Sequence, residues 1–493
     1  MVNYSLLQIS TRQYLYLLSQ KYSKPITKII DIPESVFDEW KQMGFEWVWM
    51  MGVWQIGQYG INFDRQDPYR RKKYDANCPG WTEEDVIGSP FAIVSYTINK
   101  ELGEEKDIAW LRQQLNKRGM KLMLDFVPNH TSFDSEEIQQ NKREYYIHFP
   151  DNMTIKDANM TEEDYQYRYG PNGIAYATTL DWKPWTDVAQ LNYMNPDLRK
   201  SRIEILLKIA SQCDGIRCDV SLSVRNDIFW NKWKFELEHC GYKKLEKEFW
   251  LEAISAVKEK YHNCVFFAEE NYDATGILKK CGFDYVYDRN LFLQLEKTED
   301  FDLSLVKKDI NDPEIARYSH MVENHDQVRS LTAYNGNPQK EHAAAVITLT
   351  LPGLRFVNQD QWCGYKNHIE VQLRRTLKEE PNPEFLSFYT KLLEILRMDI
   401  LKDGAFSVND ENCFNSQKDS SNILSWKYSK NNNYVSVFVN FTQSSINANY
   451  KFNNYNGNLD EVTDLFTNNK IKLNKSKELE IHLEPYHYLL VQY

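Results

Sequence analysis

The sequence predicts an α/β fold: a (β/α)8 TIM barrel with a small inserted domain after its third strand and a C-terminal β-sandwich domain. Three observations point there. Eight short, nearly continuous apolar runs alternate with helical patterns, and such runs fit strands buried on both faces, as in parallel sheets. The gap between the third and fourth runs far exceeds one βα unit, which takes roughly 30 residues. Beyond residue 400 the helical patterns give way to strand patterns with Asn- and Lys-rich turns.

The strand candidates are 5–10 (SLLQIS), 46–51 (EWVWMM), 121–126 (KLMLDF), 214–220 (DGIRCDV), 264–269 (CVFFAE), 283–287 (FDYVY), 320–324 (HMVEN) and 354–358 (LRFVN). Helices fill the gaps. The stretch 104–119 puts Ile108, Leu111 and Leu115 on one face, with Gly119 as its C-cap. Another helix opens with Asn195 as N-cap and Pro196 at its first position, and its apolar stripe is Ile203, Leu206, Leu207 and Ala210. A doubly wound open sheet is the alternative, but no Gly-rich phosphate loop follows the first strand. The expected division is barrel over 1–129 and 191–400, insert over 130–190, and C-terminal domain over 401–493, where 433–441 and 479–493 read as strands.

Hydrophobic residues make up 42% of the 493 and charged residues 26%, as in soluble globular proteins. A net charge of −11 without a basic run argues against nucleic acid or an anionic membrane as partner. No apolar run has the length of a bilayer span, and the N-terminus lacks the basic start and apolar stretch of a signal peptide, so a cytoplasmic protein is expected. The eight cysteines form no CxxC pair and read as reduced core thiols. Oligomeric state is not encoded in any readable motif.

In such a barrel the chemistry sits at the C-terminal strand ends. The third strand delivers Asp125, Asn129 and His130, and the fourth Arg217 and Asp219, one residue apart and therefore on one face. The fifth delivers Glu269 and Glu270, and the seventh Asn324, His325, Asp326 and Arg329. Apolar strands ending in ionisable groups conflict with core formation, as functional sites do. Three carboxylates, an arginine and two histidines suit glycosidic bond cleavage. Asp219 would be the nucleophile, its pKa held low by Arg217. Glu269 would be the acid/base, kept protonated by Phe266, Phe267 and Ala268, and Asp326 would stabilise the charge developing on the sugar. His130 and His325 would bind sugar hydroxyls.

The four short regions "DFVPNH", "GIRCDV", "FFAEE" and "ENHD" appear in the order seen in glycoside hydrolase family 13, the α-amylase family, which this chain resembles. The stretches "WTDVAQLNYMNP" and "PGLRFVNQDQ" resemble two further regions of that family. The resemblance implies the same catalytic trio, Asp219, Glu269 and Asp326, with sugar contacts from His130, Arg217 and His325. It leaves Asp125, Asn129 and Asn324 as supports of the site, Asn129 bracing the insert. Phe91 stands where the family has a ring-stacking Tyr. Leu222 and Ser223 replace a Lys-His pair, and Gln190 replaces an Asp. The last two changes weaken the family's calcium site, which needs hard oxygen ligands, although Asp187 is still available. No cofactor is therefore required.

Other residues carry blander expectations. Glu270 alternates away from Glu269 toward solvent, and Cys218 points away from the site. Trp47, Trp49 and Trp54 read first as packing, with Trp54 and Gln55 as weaker subsite candidates. Arg329 is evenly placed between a salt bridge and a sugar contact. The expected activity is retaining hydrolysis of α-glucosidic bonds in an α-1,4-glucan or oligosaccharide. Transglycosylation by the same intermediate is the alternative, and a non-catalytic binding protein on the same fold the third possibility.

Overall fold

Eight strands close a parallel barrel in chain order: β1 Tyr4–Ser10, β2 Trp47–Met51, β3 Lys121–Phe126, β4 Gly215–Cys218, β5 Val265–Ala268, β6 Tyr285–Tyr287, β7 Tyr318–His320 and β8 Leu354–Asn358. β1 pairs with both β2 and β8, which completes the ring. The computed structural model describes residues 2–179, 181, 183–269, 275–297, 301–414, 421–452 and 459–493.

Double burial explains the apolar runs. Leu6, Trp47, Trp49, Met123, Phe267, Tyr287 and Phe356 fill the barrel interior. Their alternating neighbours Leu7, Val48, Met50, Leu122, Leu124, Ile216 and Phe266 pack outward in the larger core that includes the helices. Gly215 starts β4 because a Cβ there would lie 2.8 Å from the Trp47 ring.

The helix over 105–117 ends at Arg118, and Gly119 follows with φ +69°, the left-handed stop the sequence predicts, one residue beyond the cap. The helix Pro196–Gln212 is capped by Asn195, whose Oδ1 accepts from the Asp197 and Leu198 N–H groups at 2.9 and 3.3 Å. Its buried stripe is rotated from the expected one. Leu206 and Ala210 are buried with Ile209 and Arg202, while Ile203 and Leu207 are half-buried. Arg202 takes the inner position because Glu137 of the insert pairs with it.

Two strands end earlier than their apolar runs. β4 stops at Cys218, and Val220 turns into the left-handed region at φ +40°. β7 covers Tyr318–His320, not 320–324, because side chains replace the ladder beyond it. There Glu323 accepts from Arg329 Nη1 (2.6 Å), the Ser330 N–H (2.7 Å) and Asn358 Nδ2 (3.0 Å).

Between β3 and β4 lies a three-stranded antiparallel sheet, with Pro184–Gln190 between His130–Ser132 and Tyr176–Thr178. Past residue 400 a six-stranded antiparallel sheet faces the pair Ile446–Lys451 and Glu478–Leu483 across a core of Phe438, Tyr450, Leu479 and Ile481. The run 479–493 is two strands in different sheets, since the chain turns at Pro485 and Tyr486 (φ +56°). All eight cysteines are free thiols. No helix among the described residues is long and apolar enough to cross a membrane.

Glu341, in the helix Pro338–Thr350, is fully buried. Its Oε1 accepts from Tyr389 Oη (2.6 Å) and Ser330 Oγ (3.0 Å), and burial pushes its carboxyl up to about 8. A carboxyl raised on folding contributes stability fully present below its unfolded pKa and lost as pH rises through the folded value. The melting temperature is therefore expected to fall between pH 5 and 9, and Glu341→Gln to flatten that fall. Identical pH profiles for both proteins in a thermal melt would refute the assignment.

Candidate active site

Each functional side chain stands at or just past the C-terminal end of a barrel strand. Arg217, near the end of β4, pairs in register with Asp125 on β3 and Phe267 on β5. It is fully buried. Its guanidinium carbon lies 4.9 Å from the Trp49 ring centre and 5.6 Å from those of Phe91 and Tyr287. Nη1 contacts Asp219 Oδ1, while Nη2 reaches Glu269 Oε2 at 2.9 Å and Tyr287 Oη at 3.3 Å. One cation thus holds two carboxyl groups from adjacent strands.

The Glu269 charge also acts on Asp219. Burial, and then the Glu269 charge, push the Asp219 carboxyl well above its ordinary range, with Arg217 opposing. This corrects the expectation that Arg217 keeps Asp219 low: the arginine acts in that direction, but desolvation is larger. The Val220 N–H donates to Glu269 Oε2 at 2.8 Å. A β-branched residue at φ +40° is strained, and strain of this kind persists where surrounding contacts over-determine it.

Asp125 is a support. Its Oδ1 accepts from Trp49 Nε1 (2.8 Å) and its Oδ2 from the Gly52 N–H (2.7 Å), and burial lifts it to about 6. Asn129 joins barrel to insert: Gln190 Nε2 donates to its carbonyl (3.0 Å) and to its Oδ1 (3.1 Å). His130 is buried, its Nδ1 3.4 Å from Asn129 Nδ2 and its ring 5.5 Å from that of Trp185, and burial lowers it to about 4. Its imidazole is therefore neutral at neutral pH.

Past β7, Asn324 Oδ1 accepts from the N–H groups of Asp326 (2.9 Å) and Gln327 (3.2 Å) and fixes the turn that presents Asp326. The Asp326 side chain is 47% exposed at the rim. His325 packs between Trp49 (5.5 Å) and Phe91 (5.4 Å), and its Nε2 lies 3.3 Å from Asp326 Oδ2. Apart from this ionic contact, neither ring nitrogen of His325 has a hydrogen-bond partner among the described residues, and burial lowers its pKa.

The remaining candidates separate cleanly. Arg329 is a salt-bridge residue, buried on Glu323 and the Gln359 carbonyl. Trp54 is a packing residue, its Nε1 bonded to the Asp125 carbonyl. Gln55 binds the Ile56 carbonyl and the Lys100 N–H. Cys218 is buried in the outer core, its thiol pushed up by burial. Glu270 lies outside the described residues. Tyr287 was not among the sequence candidates, although its place at the end of β6 is the signal that would have found it.

Gln190 and Asp187 bear on calcium. An amide N–H of Gln190 occupies the Asn129 oxygens, and Arg70 Nη2 lies 3.2 Å from Asp187 Oδ2. Both oxygen sets face protein donors, so this donor set does not fit a calcium ion.

A parallel barrel with three carboxyl-bearing strand ends, an arginine between two of them and two buried imidazoles defines the catalytic architecture of the α-amylases. The model of the alpha-amylase catalytic domain matches residues 91–480. The chain belongs to that family, glycoside hydrolase family 13. Among curated proteins it is 23% identical over 333 residues to a cyclomaltodextrinase of Thermoanaerobacter pseudethanolicus, covering 63% of this chain and 52% of that one. It is 27% identical over 282 residues to alpha-amylase 3 of Dictyoglomus thermophilum, covering 53% and 51%. The chain thus spans about half the length of these relatives. A maltogenic alpha-amylase from Thermotoga neapolitana shares the fold with TM-score 0.70 at 18% identity, over 100% of this chain and 98% of that one.

Proposed function

We propose that the protein is a retaining α-glycoside hydrolase that cleaves α-glucosidic bonds of α-1,4-glucans or their oligosaccharides. The observation that carries this reading is the Asp219–Glu269 pair, both carboxyl groups clamped by the one guanidinium of Arg217. Inverting enzymes keep their carboxyl groups about 6.5–9.5 Å apart to seat a water, whereas retaining pairs stand about 5–5.5 Å apart. Two carboxyl groups held on one guanidinium stand close together, which favours the retaining class.

In this mechanism the pair carries one proton, on Glu269; the Asp219 carboxylate attacks the anomeric carbon while Glu269 gives that proton to the leaving oxygen. Water, deprotonated by Glu269, then releases the sugar from Asp219. Both Arg217 and the Val220 N–H bond Glu269 through Oε2, which directs the proton to Oε1. Asp326, at the rim, stabilises positive charge on the ring, and His325 and neutral His130 bind hydroxyls. The names of relatives, which include an alpha-glucosidase and a 4-alpha-glucanotransferase, support an α-glucan substrate class.

The test is incubation with maltooligosaccharides, products resolved over time by chromatography and the first-formed anomer read by proton NMR. The α-anomer is expected first, and Glu269→Gln is expected to lose roughly 10²–10⁴ in rate, with Asp219→Asn losing at least as much. Appearance of the β-anomer, or unimpaired variants, would sink the mechanism; products longer than the substrate would move it to transglycosylation.

Calcium independence belongs to the same proposal. The melting temperature is expected to stay within about 1 °C on adding chelator or millimolar calcium, since a ligand bound by the folded state alone would raise it. A calcium-dependent rise of several degrees would overturn it.

A further inference from the structure

Two loops pair with each other beside the catalytic mouth. Residues 85–87, from the excursion after β2, pair with 372–374, after β8. Val86 and Leu373 form an antiparallel bridge, the Ile87 N–H donates to the Gln372 carbonyl, and the Arg374 N–H to the Asp85 carbonyl, both at 2.8 Å. The pair is pinned from beneath by the two residues that follow the start of the helix after β1. Arg12 donates to the carbonyls of Ile87 (2.7 Å), Gly88 (2.7 Å) and Val371 (3.0 Å), and Gln13 to those of Glu370 (3.2 Å) and Leu373. Both side chains are buried.

Further ties brace the outer face. Asn77 Nδ2 donates to Glu370 Oε1 (2.7 Å), and Arg375 Nη2 lies 3.2 Å from Asp85 Oδ2. His368 Nδ1 bonds the carbonyl of Gln327, the residue after Asp326, at 2.8 Å. Val371 itself packs into the barrel-interior cluster with Trp49, Met51 and Phe356, against which Phe91 also rests. The wall therefore stands directly against the ring formed by Phe91, His325 and Asp326.

Its side of the barrel fixes its meaning. In the closed eight-strand order β1 lies diametrically across from β5, which ends in Glu269. The acid must touch the glycosidic oxygen, so the leaving portion of the chain lies over β5. The portion kept on Asp219 extends the other way, toward β1 and the wall. We infer that the pocket is closed on its non-reducing side, so that the enzyme cuts short units from non-reducing chain ends and not internal bonds. This inference rests on the hydrolase reading above. The loops 85–88 and 370–374 are then the determinants of that specificity.

The experiment compares 4-nitrophenyl α-maltoheptaoside with the same compound capped by a 4,6-ethylidene group on its non-reducing glucose, products followed by chromatography. The uncapped compound is expected to be shortened from its non-reducing end, and the capped one consumed at least about tenfold more slowly. Asn77→Ala and Arg375→Ala each remove one brace and are expected to narrow that gap. Equal consumption of both compounds by the wild type would overturn the closed pocket while leaving hydrolysis intact. A gap unchanged in both folded variants would overturn the assignment to this wall. Failure to cut either compound would overturn the hydrolase reading, and this inference with it.

Discussion

The arrangement depends on one buried guanidinium. Arg217 has no exposed surface, yet it stands among the carboxyl groups of Asp219 and Glu269. Taking each such charge out of water costs several kcal/mol unless it is paired with good geometry. The barrel supplies that geometry through register. β4 sets Arg217 beside Asp125 and Phe267, and the rings of Trp49, Phe91 and Tyr287 enclose its planar face. Gly215, two residues earlier, leaves space for Trp47, so the layer below the arginine is filled by an indole from β2. The chemistry of the mouth and the packing of the interior are therefore parts of the same column of side chains.

The carboxyl pair also shows why reactivity is a property of the assembly. Asp219 and Glu269 share one cation, and the balance between burial, the Glu269 charge and Arg217 sets the ionisation of Asp219. The turn at Val220 belongs to this balance. Its strained backbone aims an N–H at Glu269 that a relaxed conformation would aim elsewhere. A local cost in the backbone is offset by order in the acid.

All eight barrel strands were legible, because strands buried on both faces cannot hide among polar residues. Their ends were less so: β4 and β7 stop where Val220 and Glu323 exchange ladder bonds for side-chain and turn contacts, which an apolar run does not reveal. The site residues at strand ends stood out because ionisable groups after apolar runs break the logic of a core. Tyr287 did not, since a tyrosine closing an apolar strand breaks nothing. The direction of the Asp219 shift was misjudged because Arg217 is a sequence neighbour of Asp219 and Glu269 is not. Arg70 and Asp187, 117 positions apart, meet only in three dimensions.

Two of the ties that hold the insert differ in kind. Gln190 and Asn129 meet as neutral amides, whereas Arg70, partly open to water, meets the buried carboxylate of Asp187 as an ion pair. Salt screens the second only weakly, because one partner is buried, and does not touch the first. Neither amide titrates, so acid or alkali leaves that bond as it was. The insert is thus moored beside His130 by a bond between neutral groups, which neither ionic strength nor pH alters, and farther out by charges whose strength comes from their burial.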